Sequence, residues 1–106
     1  MAKYLFEVSY TTEGAKGLLK EGGSGRLETI QKTLSSLGAK IESFYYALGK
    51  NDAYLIVDAA DHVTVAAISL AVSAAGGARI KTTVLMTPED IDAAGKMTVD
   101  YRAPGR

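Results

Sequence analysis

Residues 53–86 read AYLIVDAADHVTVAAISLAVSAAGGARIKTTVLM, and this stretch decides the fold. Ala53 to Asp58 is a strongly apolar run of strand length. Asp61 is placed to cap a helix from about His62 to Ala75, and Gly76-Gly77 stops it. Ala78 to Met86 then reads as a strand, with Ile80, Thr82, Val84 and Met86 on one side. The segment is strand, helix, strand.

Upstream, Tyr4, Phe6, Val8 and Tyr10 alternate with Lys3, Leu5, Glu7 and Ser9, so Lys3 to Tyr10 is a half-buried strand. Thr11-Thr12-Glu13 opens a short helix through Leu18 and Leu19, which Gly22-Gly23-Ser24-Gly25 breaks. Ser24 is placed to cap a second helix. Leu27, Ile30, Leu34 and Leu37 recur at its period, and Gly38 ends it. Ala39 to Leu48 forms a hairpin with Ala53–Asp58 through the turn Gly49-Lys50-Asn51-Asp52. Downstream, Thr87-Pro88-Glu89-Asp90 starts a final short helix with a capping Thr, Pro at the first helical position and acids in the first turn. The order β-α-β-β-α-β plus a terminal helix predicts a ferredoxin-like α+β fold. Its four-stranded antiparallel sheet carries helices on one face. Residues 1–98 form one domain, and 99–106 form a tail that is either loose or an arm packed on a neighbour.

The 106 residues carry 12 basic and 12 acidic side chains, no Cys and one His. The absence of Cys excludes disulfides, thiolate metal sites and a cysteine nucleophile. A single His excludes a site built on two imidazoles, so no metal or cofactor is expected. The zero net charge argues against a nucleic-acid partner. Glu7 interrupts the apolar start before a signal-peptide core can form, and the Ala-rich run Val63 to Gly77 is too short and too weakly apolar for a membrane span. The expectation is a cytoplasmic protein without a membrane partner.

Two helices cover one face of such a sheet. Strand periodicity assigns Phe6, Val8, Ile56, Ile80 and Val84 to the covered core. It assigns Leu5, Glu7, Ser9, Glu42, Phe44, Tyr46, Leu55, Val57, Arg79, Lys81 and Thr83 to the open face. Aromatics beside charges predict that this face packs on a second copy around a partly polar chamber, making a homo-oligomer, dimer or higher. An ordinary wet face with tolerated apolar residues is the alternative. Within such a chamber Glu7, Ser9, Glu42, Tyr46, Arg79 and Lys81 are the ligand-binding candidates. A carboxylate would accept a proton, the phenol would donate to a carbonyl, and the bases would hold an anion. Cross-strand ion pairing accounts for the same charges without any ligand. Lys20 and Arg26 flank the Gly-rich break and are placed to meet an anionic ligand. Asp52 either caps its own turn or contacts a ligand at the sheet rim. His62, after the capping Asp61, reads as an exposed first-turn residue.

The runs Lys3-Tyr4-Leu5-Phe6, Ser9-Tyr10-Thr11 and Glu13-Gly14, with Gly17-Leu18-Leu19-Lys20-Glu21-Gly22-Gly23, resemble the start of GYD-domain proteins. So do Ser36-Leu37-Gly38, Glu42, Phe44-Tyr45, Tyr54-Leu55-Ile56-Val57-Asp58, Lys81-Thr82-Thr83 and Thr87-Pro88-Glu89. Gly49 and Asp52 match the outer positions of the Gly-Tyr-Asp signature, with Lys50-Asn51 where the Tyr would stand. The resemblance implies a ferredoxin-like fold that pairs into a dimeric α/β barrel. That architecture serves small-ligand sensors, cofactor-independent oxygenases, and isomerases or dehalogenases, and fold alone does not choose among them. Three functions remain open: a small-ligand-binding oligomer, a cofactor-independent enzyme on a small organic substrate, and a regulatory subunit docking on another protein.

Overall fold

Thr11 ties together two parts of the chain that are far apart in sequence. Its N–H donates to the Gly77 carbonyl (3.0 Å), and its hydroxyl donates to Gly76 O (2.8 Å) while accepting the Gly14 N–H (3.1 Å). One residue therefore ends the first strand, caps the first helix and holds the turn before the last strand. In the computed structural model, which describes residues 1–106, the elements are β1 (Ala2–Tyr10), α1 (Thr12–Glu21), α2 (Gly23–Ser36), β2 (Lys40–Tyr46), β3 (Ala53–Ala59), α3 (His62–Ala75), β4 (Ala78–Leu85) and α4 (Pro88–Gly95). All strand pairs are antiparallel, in the order β2-β3-β1-β4. This is the ferredoxin-like α+β arrangement.

The caps form largely as the sequence predicts. Asp61 accepts the Thr64 N–H at 2.9 Å, and Gly76 ends α3 in the left-handed region at φ 80°. Thr87 and Asp90 make a reciprocal capping box behind Pro88. One cap differs. Gly22, at φ 82°, separates α1 from α2, and α2 begins at Gly23 without a side-chain cap, so Ser24 lies inside the helix.

The core lies between the sheet and α2 and α3. Tyr4, Phe6 and Val8 of β1, Ala53, Leu55 and Val57 of β3, Leu34 of α2, and Val65 and Ile68 of α3 are buried together. Pairing settles which residues face it. Leu55 stands opposite Phe6 and Val57 opposite Tyr4, whereas Ile56 stands opposite Leu5. Leu55 and Val57 therefore belong to the helix-covered side and Ile56 to the open side, the reverse of the periodicity reading. On β2 the register shifts between Ile41 and Ser43. That bulge inserts one residue and changes the parity of everything after it. Phe44 and Tyr46 thus pair with Leu55 and Ala53 on the helix side, and Glu42 stays on the open side, where it meets Lys3.

The chain is not fully compact. A domain of this length has a radius of gyration near ~13 Å. Here it is 17.2 Å, with a longest extent of 58 Å. The excess comes from α4 and the residues beyond it, which make no substantial packing with another element and are almost wholly exposed.

Candidate functional site

α2 packs on β2, and α3 packs on β3 and β4. The two helices leave a gap over the middle of the sheet. Phe6, Val8 and Leu55 form its floor, Ile30 and Leu34 line one wall, and Ile68 and Val72 line the other. The resulting cleft has a volume of about 100 Å³. Its lining is apolar except along α2 and at the end of β1, where Arg26, Thr29, Thr33 and Tyr10 contribute. Both Thr hydroxyls already donate to carbonyls one turn back, to Gly25 and Thr29. The remaining polar handles are the Arg26 guanidinium and the Tyr10 phenol.

Arg26 is held loosely. It faces the Glu21 carboxylate at 3.6 Å across the α1–α2 break. Tyr46, brought to this side by the bulge, donates its hydroxyl to the Gly23 carbonyl at 2.9 Å. Burial pushes the Tyr10 phenol up from its ordinary value, Tyr46 adds to this, and Arg26 opposes it. Burial also raises Tyr46. Both phenols therefore remain neutral hydrogen-bonding groups at physiological pH. Asp52 serves the frame here. Its carboxylate accepts the Tyr10 N–H at 2.8 Å, and its own N–H donates to Val8 O. Lys20, in the last turn of α1, is exposed and does not line the cleft.

The open face holds the other predicted residues. Glu7 stands between Tyr54 on β3 and Lys81 on β4, and Ser9 stands opposite Arg79. Ser9 donates to Asn51 Oδ1 at 3.2 Å, and Asn51 donates to the Tyr54 hydroxyl at 3.3 Å, so this buried amide is satisfied. The six candidates therefore do not converge on one site. Glu7, Ser9, Glu42, Arg79 and Lys81 share the open face, and Tyr46 lies behind it. His62 is exposed, as its position predicts. No three His, Asp or Glu side chains stand close enough together to hold a metal ion. No helix is long and apolar enough to cross a membrane.

Three contributors escaped the sequence reading: Tyr10, Asn51, and the pair Lys3 and Asp58. Lys3 shares its parity with Leu5 and Glu7, and Asp58 shares its parity with Ile56. Those two parities were the only sequence signal for a cross-strand pair. Lys3 Nζ lies 2.8 Å from Asp58 Oδ1 and 3.0 Å from Glu42 Oε2, tying β1 to β3 and β2. The hydrogen bond from Lys3 holds the Asp58 carboxyl below its ordinary 3.8, and the bonds to Asp58 and Glu42 hold the ammonium above 10.5. Asp58 therefore stabilises the fold fully above its unfolded pKa and loses that contribution as pH falls through its lower folded value. Lys3 stabilises below its unfolded pKa and loses the contribution as pH rises through its higher folded value. Asp58→Asn should melt below the wild type between about pH 5 and pH 10, with the gap closing below about pH 4. Melting curves across pH check this, and a gap unchanged down to pH 2 would show that the charge is not its source.

Comparison with known proteins gives one result. The sequence model of the GYD domain matches residues 4–94 of the 106. The chain belongs to the GYD domain family. No curated protein and no solved structure matches it. The matched region takes in β1 from Tyr4 onward, the other three strands, α1 to α3, and α4 up to Ala94, so this GYD domain contains the cleft and all of the open face but Lys3.

Proposed function

We propose that this GYD-domain chain binds a small apolar carboxylate in the cleft between α2 and α3. The ligand's hydrocarbon body lies on Phe6, Val8 and Leu55, and its acid group meets Arg26. The observation that carries the reading is an apolar cleft with one cationic handle at its edge. Apolar walls with few polar groups are what small-molecule sites use to bind and to orient. A cavity of roughly 150 Å³ lined by aliphatic and aromatic groups takes up benzene, so the present volume suits a body between isobutyl and phenyl in size. Arg26 is free to exchange Glu21 for a ligand carboxylate, because that ion pair is long and half-exposed. The lining holds no carboxylate, imidazole or amine to move a proton. Binding is therefore preferred to catalysis here.

A second reading places the ligand between two open faces of a homo-oligomer, where Glu7, Ser9, Glu42, Arg79 and Lys81 would line a chamber. The half-buried apolar row of Leu5, Ile56 and Leu85 among those charges favours it.

One experiment separates the two. Calorimetric titration compares benzoate and isovalerate with their neutral amides, on the wild type, Arg26→Gln and Lys81→Ala. The cleft reading expects the acids to bind more tightly than the amides, and Arg26→Gln to lose about tenfold in affinity with Lys81→Ala unchanged. A loss in Lys81→Ala alone moves the site to the open face. Equal binding of acid and amide, indifferent to both substitutions, overturns the carboxylate reading.

A further inference from the structure

Beyond α4 the sequence returns to a period of two. Met97, Val99, Tyr101 and Ala103 alternate with Thr98, Asp100 and Arg102, which is the pattern of a strand with one apolar face. Nothing in the chain pairs with it. No N–H from Thr98 to Ala103 donates to a backbone carbonyl, and Met97, Val99 and Tyr101 are 74%, 76% and 72% exposed. Backbone without hydrogen-bond partners and with a bare apolar row lacks its partner.

The sheet offers a matching vacancy. With strand order β2-β3-β1-β4, β4 has a neighbour on one side only. Its outer edge runs over Ala78–Leu85 without a bulge or proline, and it is rich in β-branched residues. On its helix side Thr82 is exposed and Val84 is 61% exposed, beyond the cover of α3. β2, the other edge, carries the bulge that discourages pairing. We propose that residues 97–103 of one chain add as a fifth strand to the β4 edge of a second copy, which returns its own segment in exchange.

Three observations select a second copy as the partner. Donor strand and acceptor edge belong to the same chain, so two copies satisfy each other without a third component. The charges also agree. With Val99 and Tyr101 laid beside Ile80 and Thr82, Asp100 falls beside Lys81 and Arg102 beside Thr83. The hinge directs the segment away from its own β4. Only Met86 and Thr87 separate β4 from α4, Pro88 fixes the first helical φ, and the Thr87–Asp90 capping box holds both ends of the first turn at 3.0 and 3.1 Å. α4 then carries the segment outward. Short, constrained hinges favour exchange between chains. The inference does not rest on the ligand reading, and it uses an edge distinct from the open face.

The chain has no cysteine, so introduced thiols report on this contact alone. Full-length chains bearing only Val99→Cys are mixed under mild oxidation with chains bearing only Ile80→Cys, Thr82→Cys or Val84→Cys. These acceptor positions span the neighbouring registers. A mixed disulfide in at least one mixture is expected. None in any of the three overturns the proposal. The double substitution Val99→Pro and Asp100→Pro in the full chain removes a ladder donor in any register and should weaken self-association about tenfold by sedimentation velocity, with the melting of the body preserved. Unchanged self-association in that variant also overturns the proposal. The Arg26→Gln titration is untouched by either result.

Discussion

Leu34→Ala should lower the free energy of unfolding by about 3 kcal/mol, within the usual range for truncating a buried leucine. The midpoint of thermal unfolding should fall by roughly 15 °C for a chain of this size. Leu34 is 1% exposed and is the only fully buried side chain of α2. Its carbonyl also accepts the N–H groups of Leu37 and Ala39, which turn the chain from α2 into β2. The side chain lines the cleft, so the void left by Ala opens into space that is already empty, and the surrounding helices have little reason to close on it. The same substitution should admit a bulkier carboxylate than the wild type takes. Differential scanning calorimetry with and without ligand reads both effects. A loss below about 1 kcal/mol would mean that α2 collapses toward α3, and that the cleft is a product of loose packing rather than a built site.

Gly14→Ala should destabilise by about 2 kcal/mol, although alanine is the better helix former by about 1 kcal/mol. A methyl group on Gly14 would overlap the carbonyl of Gly77. That carbonyl accepts the Thr11 N–H and, with Gly76, the Thr11 hydroxyl. α1 must move away from the turn before β4, and the cap and the strand connection are strained together. Gly17 lies on the same helix with nothing near it, so Gly17→Ala is the control and should be neutral or slightly stabilising. Chemical denaturation of the pair checks the contrast, and similar midpoints for both variants would show that the close approach carries no weight.

Much of the architecture is legible in the sequence. Thr11, Asp61, Gly76 and Thr87 declare helix ends by chemistry that acts within four residues. Such local signals survive in any tertiary setting. The alternation along β1 placed Phe6 and Val8 inside and Glu7 and Ser9 outside, because that strand is polar on one side. The candidate site was less legible. Arg26 was singled out from its place beside the Gly-rich break, and it does line the cleft. Tyr10 reads only as one member of the alternation along β1. No sequence feature announces that α2 and α3 stand apart, since a helix's apolar stripe is the same whether its neighbour touches it or not. Asn51 looked like a turn residue, and its burial depends on Ser9 and Tyr54 arriving from two strands.

The element order, the mixed α+β class and the caps at Thr11, Asp61 and Thr87 follow from residue chemistry that acts over short range, whereas the Ser24 cap does not form. Tertiary structure alone decided which side of the sheet β2 and β3 present. β3 is apolar at nearly every position, so its residues carry no alternation to read. On β2 a single extra residue at the Ile41–Ser43 bulge turned Phe44 and Tyr46 from the open face to the covered one. Parity along a strand is counted from its pairing partner, and that partner is known only once the sheet has formed.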